Sequence, residues 1–287
     1  MSRVPVVSFF VYGVAKNWVA GKTVADALRE AEVANAKGFS TILNYLGEEI
    51  QSPAEIRASV NEYKRLTGFL RKHGICGCIS VKPSQIGLNL GEKVFRQNLA
   101  EIVEFANGLG VFVWVDMESS RFTEATLDVY HGLFSRWEGL GVCVQSYLKR
   151  SKSDVERLVS VGGKIRLVKG AYNEDASIAY KSKTDVNANF VRLMEYLFRN
   201  SKSLFSISTH DDALVSMAVR FNKKYNGNFE FGFLKGIRDK LKLKLVHEGF
   251  RVTEYIPYGT NWLPYSIRRI KEKPSNVLLL ARSLVNR

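Results

Sequence analysis

The residues that mark the most easily read chemistries are scarce. Cysteine occurs three times in 287 residues, as Cys76, Cys78 and Cys143. That count is odd, and the C-x-C spacing of the first two is not the C-x-x-C of zinc or dithiol sites. A reduced, cytoplasmic setting follows. The four histidines, His73, His131, His210 and His247, are too scattered to form an H-x-x-x-H pair, so no metal site is expected. There is no G-x-G-x-x-G and no P-loop, which removes the phosphate loop that a doubly wound open sheet normally carries. No apolar run is long enough to cross a bilayer. The stretch 4–15 after Arg3 superficially resembles the core of a signal peptide, but it reads better as an arm or helix packed on the domain. The helical run 276–285 is likewise too short to span, and is expected to pack on the same domain.

What remains is an ordinary globular composition, 46% hydrophobic and 24% charged, long enough for one large domain with a substantial core. No low-complexity linker and no internal repeat divides it. Residues 1–287 are therefore expected to be one domain, with 1–38 an N-terminal arm and helix and 39–287 a barrel. Forty-two Lys and Arg stand against 28 Asp and Glu, a formal charge of +14. Such a surface favours nucleic acid, anionic lipid or a small acidic substrate, without choosing among them.

Residues 23–37 place Val24, Ala27, Leu28, Ala31 and Ala34 at helical spacing, with Thr23 as N-cap and Gly38 as the stop. Short β-prone runs then recur at 41–43, 75–81, 111–115, 142–144, 165–168, 204–207, 229–231 and 252–256. Helical segments such as 52–73, 93–107, 124–137, 186–199 and 235–247 lie between them. Eight strands alternating with helices predict an α/β fold, a (β/α)8 barrel of the TIM type. Glu48, Lys82, Asp116, Gln145, Lys169, Thr209 with His210, and Tyr255 each fall at or just past a strand end, which is where such barrels build their chemistry.

The fifth strand is the anomaly. Lys164, Arg166, Lys169 and Tyr172 are threaded through an apolar run, whereas a strand buried on both faces should be continuous Val, Ile and Leu. A charge taken into such a layer must be paired or face a ligand, so Arg166 and Lys169 are candidate site residues; the alternative is a strand-end charge in water. Near the C-terminus, Tyr265, Arg268 and Arg269 follow Pro264, a residue suited to the first turn of a helix. Adjacent arginines suit a carboxylate between them, or form a solvated basic face. Lys82 and Asp116 make an acid–base pair fit to orient a small zwitterion. Glu272, one turn beyond Arg268, is a supporting partner for an arginine.

The stretch 164–172, with Ile165-Arg-Leu-Val-Lys-Gly-Ala-Tyr172, resembles the VRLVKGAY signature of proline dehydrogenase. Trp18-Val-Ala-Gly, Leu46-Gly-Glu48, Ile79-Ser-Val-Lys82, Gln145-Ser-Tyr147, Thr209-His210, Phe229-Glu-Phe231 and 255–269 match the same family in the same order. The resemblance covers nearly the whole chain beyond about residue 16. It implies an FAD-dependent enzyme that oxidises L-proline to 1-pyrroline-5-carboxylate, with a helix capping the C-terminal mouth of the barrel and electrons passing to a quinone or similar acceptor. It implies that Arg268, Arg269 and Lys82 face the substrate carboxylate, with Asp116 in the network around it. Tyr172, Leu234, Tyr255 and Tyr265 would wall the ring, and Glu48 would pair with an arginine as a gate. For FAD it implies Arg166 near N5, Gln145 at the pyrimidine edge, Lys169, Gly170 and Ala171 continuing that wall, Thr209 and His210 on the adenine and ribose side, and Lys183 at the pyrophosphate.

The chain departs from the family pattern in four places. Asn173-Glu174 follow the GAY tripeptide, Gly232 replaces a common Gln, Asn44 replaces a more usual Asp, and 173–185 is short. Two further readings compete: a dehydrogenase of hydroxyproline or another cyclic amino acid, and a basic nucleic-acid-binding domain, for which no zinc finger, homeodomain or RNA-binding signature is present. The basic charge also suits peripheral contact with the inner face of an anionic membrane.

Overall fold

Gly38 closes the first helix with a positive φ of 81°, and from there the chain enters a repeating strand–loop–helix path. The computed structural model describes residues 17–263, 265 and 266. In chain order the elements are α1 (Val24–Ala36), β1 (Ser40–Tyr45), α2 (Pro53–Lys72), β2 (Gly77–Val81), α3 (Glu92–Gly108), β3 (Val113–Val115), α4 (Ser120–Phe134) and β4 (Leu140–Gln145). They continue with α5 (Ser151–Ser160), β5 (Lys164–Val168), α6 (Lys183–Asn200), β6 (Phe205–Ser208), α7 (Asp212–Tyr225), β7 (Phe229–Leu234), α8 (Asp239–His247) and β8 (Val252–Tyr258). The eight strands pair in sequence order, all parallel, and β1 closes on β8. The expected (β/α)8 barrel is therefore the fold.

Local chemistry explains the boundaries. Thr23 and Asp26 form a reciprocal capping box at the start of α1. Two strands begin two residues later than the β-prone runs that predict them. The N–H of Ile75 donates to Leu70 and that of Val111 to Ala106, after Gly74 and Gly110 with φ of 63° and 70°. These residues finish the preceding helix in a left-handed C-terminal turn instead of joining the sheet. At the other end, β8 runs on to Tyr258, so Tyr255 lies inside the strand and not at its end.

The strands bury two unlike faces. Leu43, Ile79, Val113, Val142, Ile165, Ile207 and Phe231 point outward into one continuous apolar core shared with the helices. Each such side chain contributes on the order of 1.5–3 kcal/mol by leaving water. The inward face carries Ser80, Asp116, Arg166 and Tyr255, which meet one another across the lumen. Helix α1 packs outside β1 and β8, and the described residues after β8 fold back on the segment before α1 and the loop after β1. There Trp262 and Tyr265 pack with Trp18, Val19 and Leu46. Among the described residues no helix is long and apolar enough to cross a membrane.

Candidate active site

Asp116 is the hub. It directly follows the three-residue β3, and its N–H donates to the Val81 carbonyl at 2.9 Å, which extends the ladder and aims the side chain into the barrel. Oδ1 accepts from Ser80 Oγ at 2.6 Å and from Arg166 Nη2; Oδ2 accepts from Tyr255 OH at 2.8 Å and from Lys82 Nζ at 3.3 Å. The donors come from or just after β2, β5 and β8, so only the closed barrel assembles them. Burial opposes the carboxylate, but Lys82, Arg166 and the Ser80 and Tyr255 hydroxyls outweigh it and push Asp116 down to about 2. Burial works against the Lys82 ammonium in the same way, and Asp116 leads the groups that raise its pKa well above the usual lysine value.

Arg166 is 4% exposed. Beyond Asp116, its Nη2 donates to Ser80 Oγ at 3.1 Å and its Nε to Cys143 Sγ at 2.8 Å. The guanidinium lies between two aromatic rings, 5.4 Å from the centroid of Trp114 and 5.3 Å from that of Tyr255. Desolvation works against this cation, and the hydrogen bond to Cys143 and the charge of Asp116 nonetheless keep it protonated.

A second group of side chains lies on one arc of the mouth. Ser146 and Tyr147 continue the β4–β5 ladder by donating to Val168 at 2.8 Å and Lys169 at 2.9 Å. Gly170 has φ of 100°, and a Cβ there would lie 2.1 Å from the Tyr147 ring, so only glycine lets the Lys169–Gly170–Ala171 loop press this close. Gln145 donates through Nε2 to the Met117 carbonyl at 3.2 Å, while its buried Oε1 has no hydrogen-bond partner. Lys169 pairs with Asp211 at 2.9 Å, and the Asp211 N–H donates to Thr209 Oγ1 at 3.3 Å. His210 Nε2 accepts from the Leu234 N–H at 3.1 Å, which ties the ends of β6 and β7 together and fixes that nitrogen as unprotonated. Lys183 stands apart, exposed in the first turn of α6.

Of the residues expected on the substrate side, Glu48 lies 3.7 Å from Lys82. Tyr172 packs beside Tyr147, Leu148 and Ala179. Leu234 ends β7, half-buried. Tyr265 is buried in the apolar cluster with Trp18, Val19, Leu46 and Trp262. Arg268, Arg269 and Glu272 lie outside the described residues. Ser80 and Cys143 enter the network without having been singled out, because small side chains inside β-prone runs carry no sequence signal of which face they occupy. Glu118 was also missed. It is 2% exposed, accepts from Ser84 N–H and Oγ at 2.7 Å each, and is raised in pKa by burial, against the opposing charge of Lys82. Its signal was its place two residues beyond Asp116. Among the described residues no group of three or more His, Cys, Asp or Glu is arranged to hold a metal. A surface cavity of about 700 Å³ between α1 and α2 is lined by Val24, Leu28, Arg29, Tyr45, Arg65 and Phe69 among others, and none of the expected site residues borders it.

Comparison with known proteins shows the family. The proline dehydrogenase family profile matches residues 27–282. The chain belongs to the proline dehydrogenase family. It is 32% identical over 276 residues to proline dehydrogenase 1 of Bacillus subtilis, covering 95% of this chain and 91% of the relative. It is also 32% identical over 283 residues to the proline dehydrogenase of Deinococcus radiodurans, covering 96% and 91%. Among solved structures, proline utilization A of Bdellovibrio bacteriovorus inactivated by N-propargylglycine superposes with a TM-score of 0.86 at 24% identity, covering 93% of this chain. The chain spans about a third of that larger protein, 33% of its length. As a member of the proline dehydrogenase family, the protein is an oxidoreductase.

Proposed function

We propose that the protein oxidises L-proline to 1-pyrroline-5-carboxylate, with FAD as the hydride acceptor, and passes the electrons on to a quinone or another acceptor. The observation that carries this reading is the Asp116 hub: a buried arginine, a half-buried lysine, a tyrosine and a serine converge on one carboxylate at the mouth of a barrel of this family. In the reaction, the ring carbon beside nitrogen gives up a hydride and the nitrogen loses a proton, which leaves a C=N bond. FAD supplies the two-electron acceptor for that hydride.

The residues present fit FAD. The orphaned Gln145 Oε1 is a buried acceptor that needs a donor, and the N–H of a flavin pyrimidine is such a donor. The glycine-dependent approach of 169–171 to Tyr147 offers backbone at close range, and Arg166 is a fixed cation of the kind that stabilises charge on a reduced ring. Thr209 and His210 would hold the adenine and ribose side, and Lys183, exposed at a helix N-terminus, would meet the pyrophosphate.

On the substrate side, Lys82 would attract the proline carboxylate together with Arg268 and Arg269, and Asp116 would hold Lys82 and Tyr255 in place. Tyr172, Leu234, Tyr255 and Tyr265 would line the ring. Glu48, beside Lys82, would compete for a cation when no carboxylate is bound. The cations of this centre are engaged in the barrel and at its mouth by Asp116, Glu48 and Asp211, which argues against their serving a nucleic-acid surface. Basic residues elsewhere leave peripheral contact with anionic lipid, where a quinone would reside, as the fitting partner.

The test is direct. Purified protein loaded with FAD should be yellow, and L-proline added without oxygen should bleach the flavin absorbance as 1-pyrroline-5-carboxylate appears. Protein that binds no FAD, or bound FAD that proline leaves oxidised, would overturn the reading. Faster bleaching by hydroxyproline would move the substrate to that ring.

A further inference from the structure

Cys143 sits in the middle of β4, 3% exposed, and is the register partner of Arg166 on β5. A cysteine that merely fills the core would present its sulfur to apolar neighbours. Here Sγ lies 2.8 Å from Arg166 Nε and 3.8 Å from Asp116 Oδ1. A thiol has one weak donor and a weak acceptor, and both are engaged: the sulfur accepts from Nε–H and donates to the carboxylate that Arg166 itself holds. Arg166, Asp116 and Cys143 thus close a small ring of hydrogen bonds.

The geometry points to Cys143 as a positioning residue that fixes the direction of the Arg166 guanidinium toward the cofactor, an assignment that rests on the FAD reading above. Three partners, Cys143, Asp116 and Ser80, occupy the Nε–Nη2 edge of the guanidinium, and Nη1 is the corner that none of them uses. The rings of Trp114 and Tyr255 restrict tilting of the plane. Rotation within the plane is restricted only if both Nε and Nη2 are held, and Cys143 is the acceptor at Nε. Without it the fork is free to turn end-on against the two oxygens of Asp116, the geometry arginine prefers with a carboxylate. That turn would engage Nη1 with Asp116 as well and leave no corner of the fork for the cofactor.

The choice of sulfur has a further consequence. A carboxylate at position 143 would anchor Nε more strongly, but it would also cancel the charge of Arg166. The Cys143 thiol is pushed up to about 11, chiefly by burial, and so stays neutral across the working range of an enzyme. It orients the cation without neutralising it.

The experiment compares Cys143→Ala, Cys143→Val and Cys143→Ser holoenzymes with the wild type, reading the FAD midpoint potential by spectroscopic titration, together with kcat and KM for proline. Loss of the anchor in the Ala and Val variants should lower the potential by the equivalent of about tenfold in the oxidised-to-reduced ratio, roughly 30 mV for a two-electron couple. The same variants should lower kcat and leave KM nearly unchanged. Serine, which can donate and accept at the same place, should restore both. Valine keeps the apolar volume, so a variant that fails only by leaving a cavity would show itself in alanine and not in valine. Wild-type potentials in Ala and Val, or a serine variant no better than alanine, would overturn the assignment. Arg166→Met in the same titration separates the two layers of the claim. If it leaves potential and FAD content unchanged, the FAD reading falls; if it shifts them while Cys143→Val does not, that reading stands and the role of Cys143 falls.

Discussion

Along the strands of the barrel, the residues that face outward and those that face inward follow opposite rules. On β5, Ile165 and Leu167 look outward into the shared apolar core, while Arg166 between them reaches across the lumen to Ser80 and Asp116. On β7, Phe229, Phe231 and Phe233 face the helices, whereas Glu230 accepts from Thr253 at 2.7 Å inside. TIM barrels commonly fill their interior with branched aliphatic side chains; this one fills much of it with hydrogen-bonded polar groups. The outward face supplies the free energy that holds the barrel closed, and the closed barrel in turn pays the desolvation cost of the inward face. The apolar face and the proposed chemistry are thus separated by residue parity, one side chain apart.

The separation makes paired expectations. Phe231→Ala, on the outward face, should cost about 3–5 kcal/mol of stability in chemical denaturation, as a buried aromatic is replaced by a cavity. The protein that remains folded should keep its kcat/KM. Asp116→Ala, on the inward face, leaves Lys82 and Arg166 without their carboxylate; breaking such a buried pair costs a similar ~3–5 kcal/mol. Here kcat/KM of the folded fraction should collapse as well. If the two variants lose activity alike per folded molecule, the two faces are not functionally distinct.

Arg268→Ala and Arg269→Ala come next in size. Each should raise KM for proline by roughly 10- to 150-fold with FAD still bound, from the loss of a charge-assisted contact worth about 1.5–3 kcal/mol. An unchanged KM in both would mark a solvated basic face. A pH titration of stability tests the hub more gently. Asp116 is held below its ordinary value of 3.8, at about 2, so its stabilising contribution is complete above the ordinary carboxylate range and is lost as pH falls toward 2. Asp116→Asn should remove that part of the acid sensitivity, as followed by thermal melts from pH 5 downward. The smallest effect is expected at Glu48, where Glu48→Ala should change the proline on- and off-rates a few-fold in stopped-flow reduction without releasing FAD. Wild-type rates would return Glu48 to a structural part in the loop after β1.

Much of this was legible in the sequence, and the reason is specific. Lys82, Asp116, Gln145 and Lys169 sit at or just past strand ends, where alternation of β-prone and helical runs gives their position without any knowledge of closure. Arg166 was conspicuous because a charge in an apolar run must have a partner. That partner was another matter: Cys143 meets Arg166 through the β4–β5 pairing, Ser80 and Tyr255 meet it only because β2, β5 and β8 close around one axis, and neither is a local property. Ile75 and Val111 misled for the opposite reason. Their β-propensity is real, yet their N–H groups finish the helices before them. Helices α5 and α7, which begin in the polar runs at Ser151 and Asp212, were not among the helical segments singled out, since tertiary packing against the barrel does more to fix them than their own pattern.

The central claim is that Arg166, buried by the closed barrel, is a cofactor-facing cation and not a strand-end charge. A spectroscopic redox titration of wild type and Arg166→Met, side by side and with FAD content checked on each, tests it most directly. If the guanidinium acts on the flavin, the variant should have a lower midpoint potential and hold FAD more weakly, because a fixed positive charge that favours the reduced ring is gone. A charge that met only water and salt would have little influence beyond about 10 Å. Equal potentials and equal FAD occupancy would contradict the account.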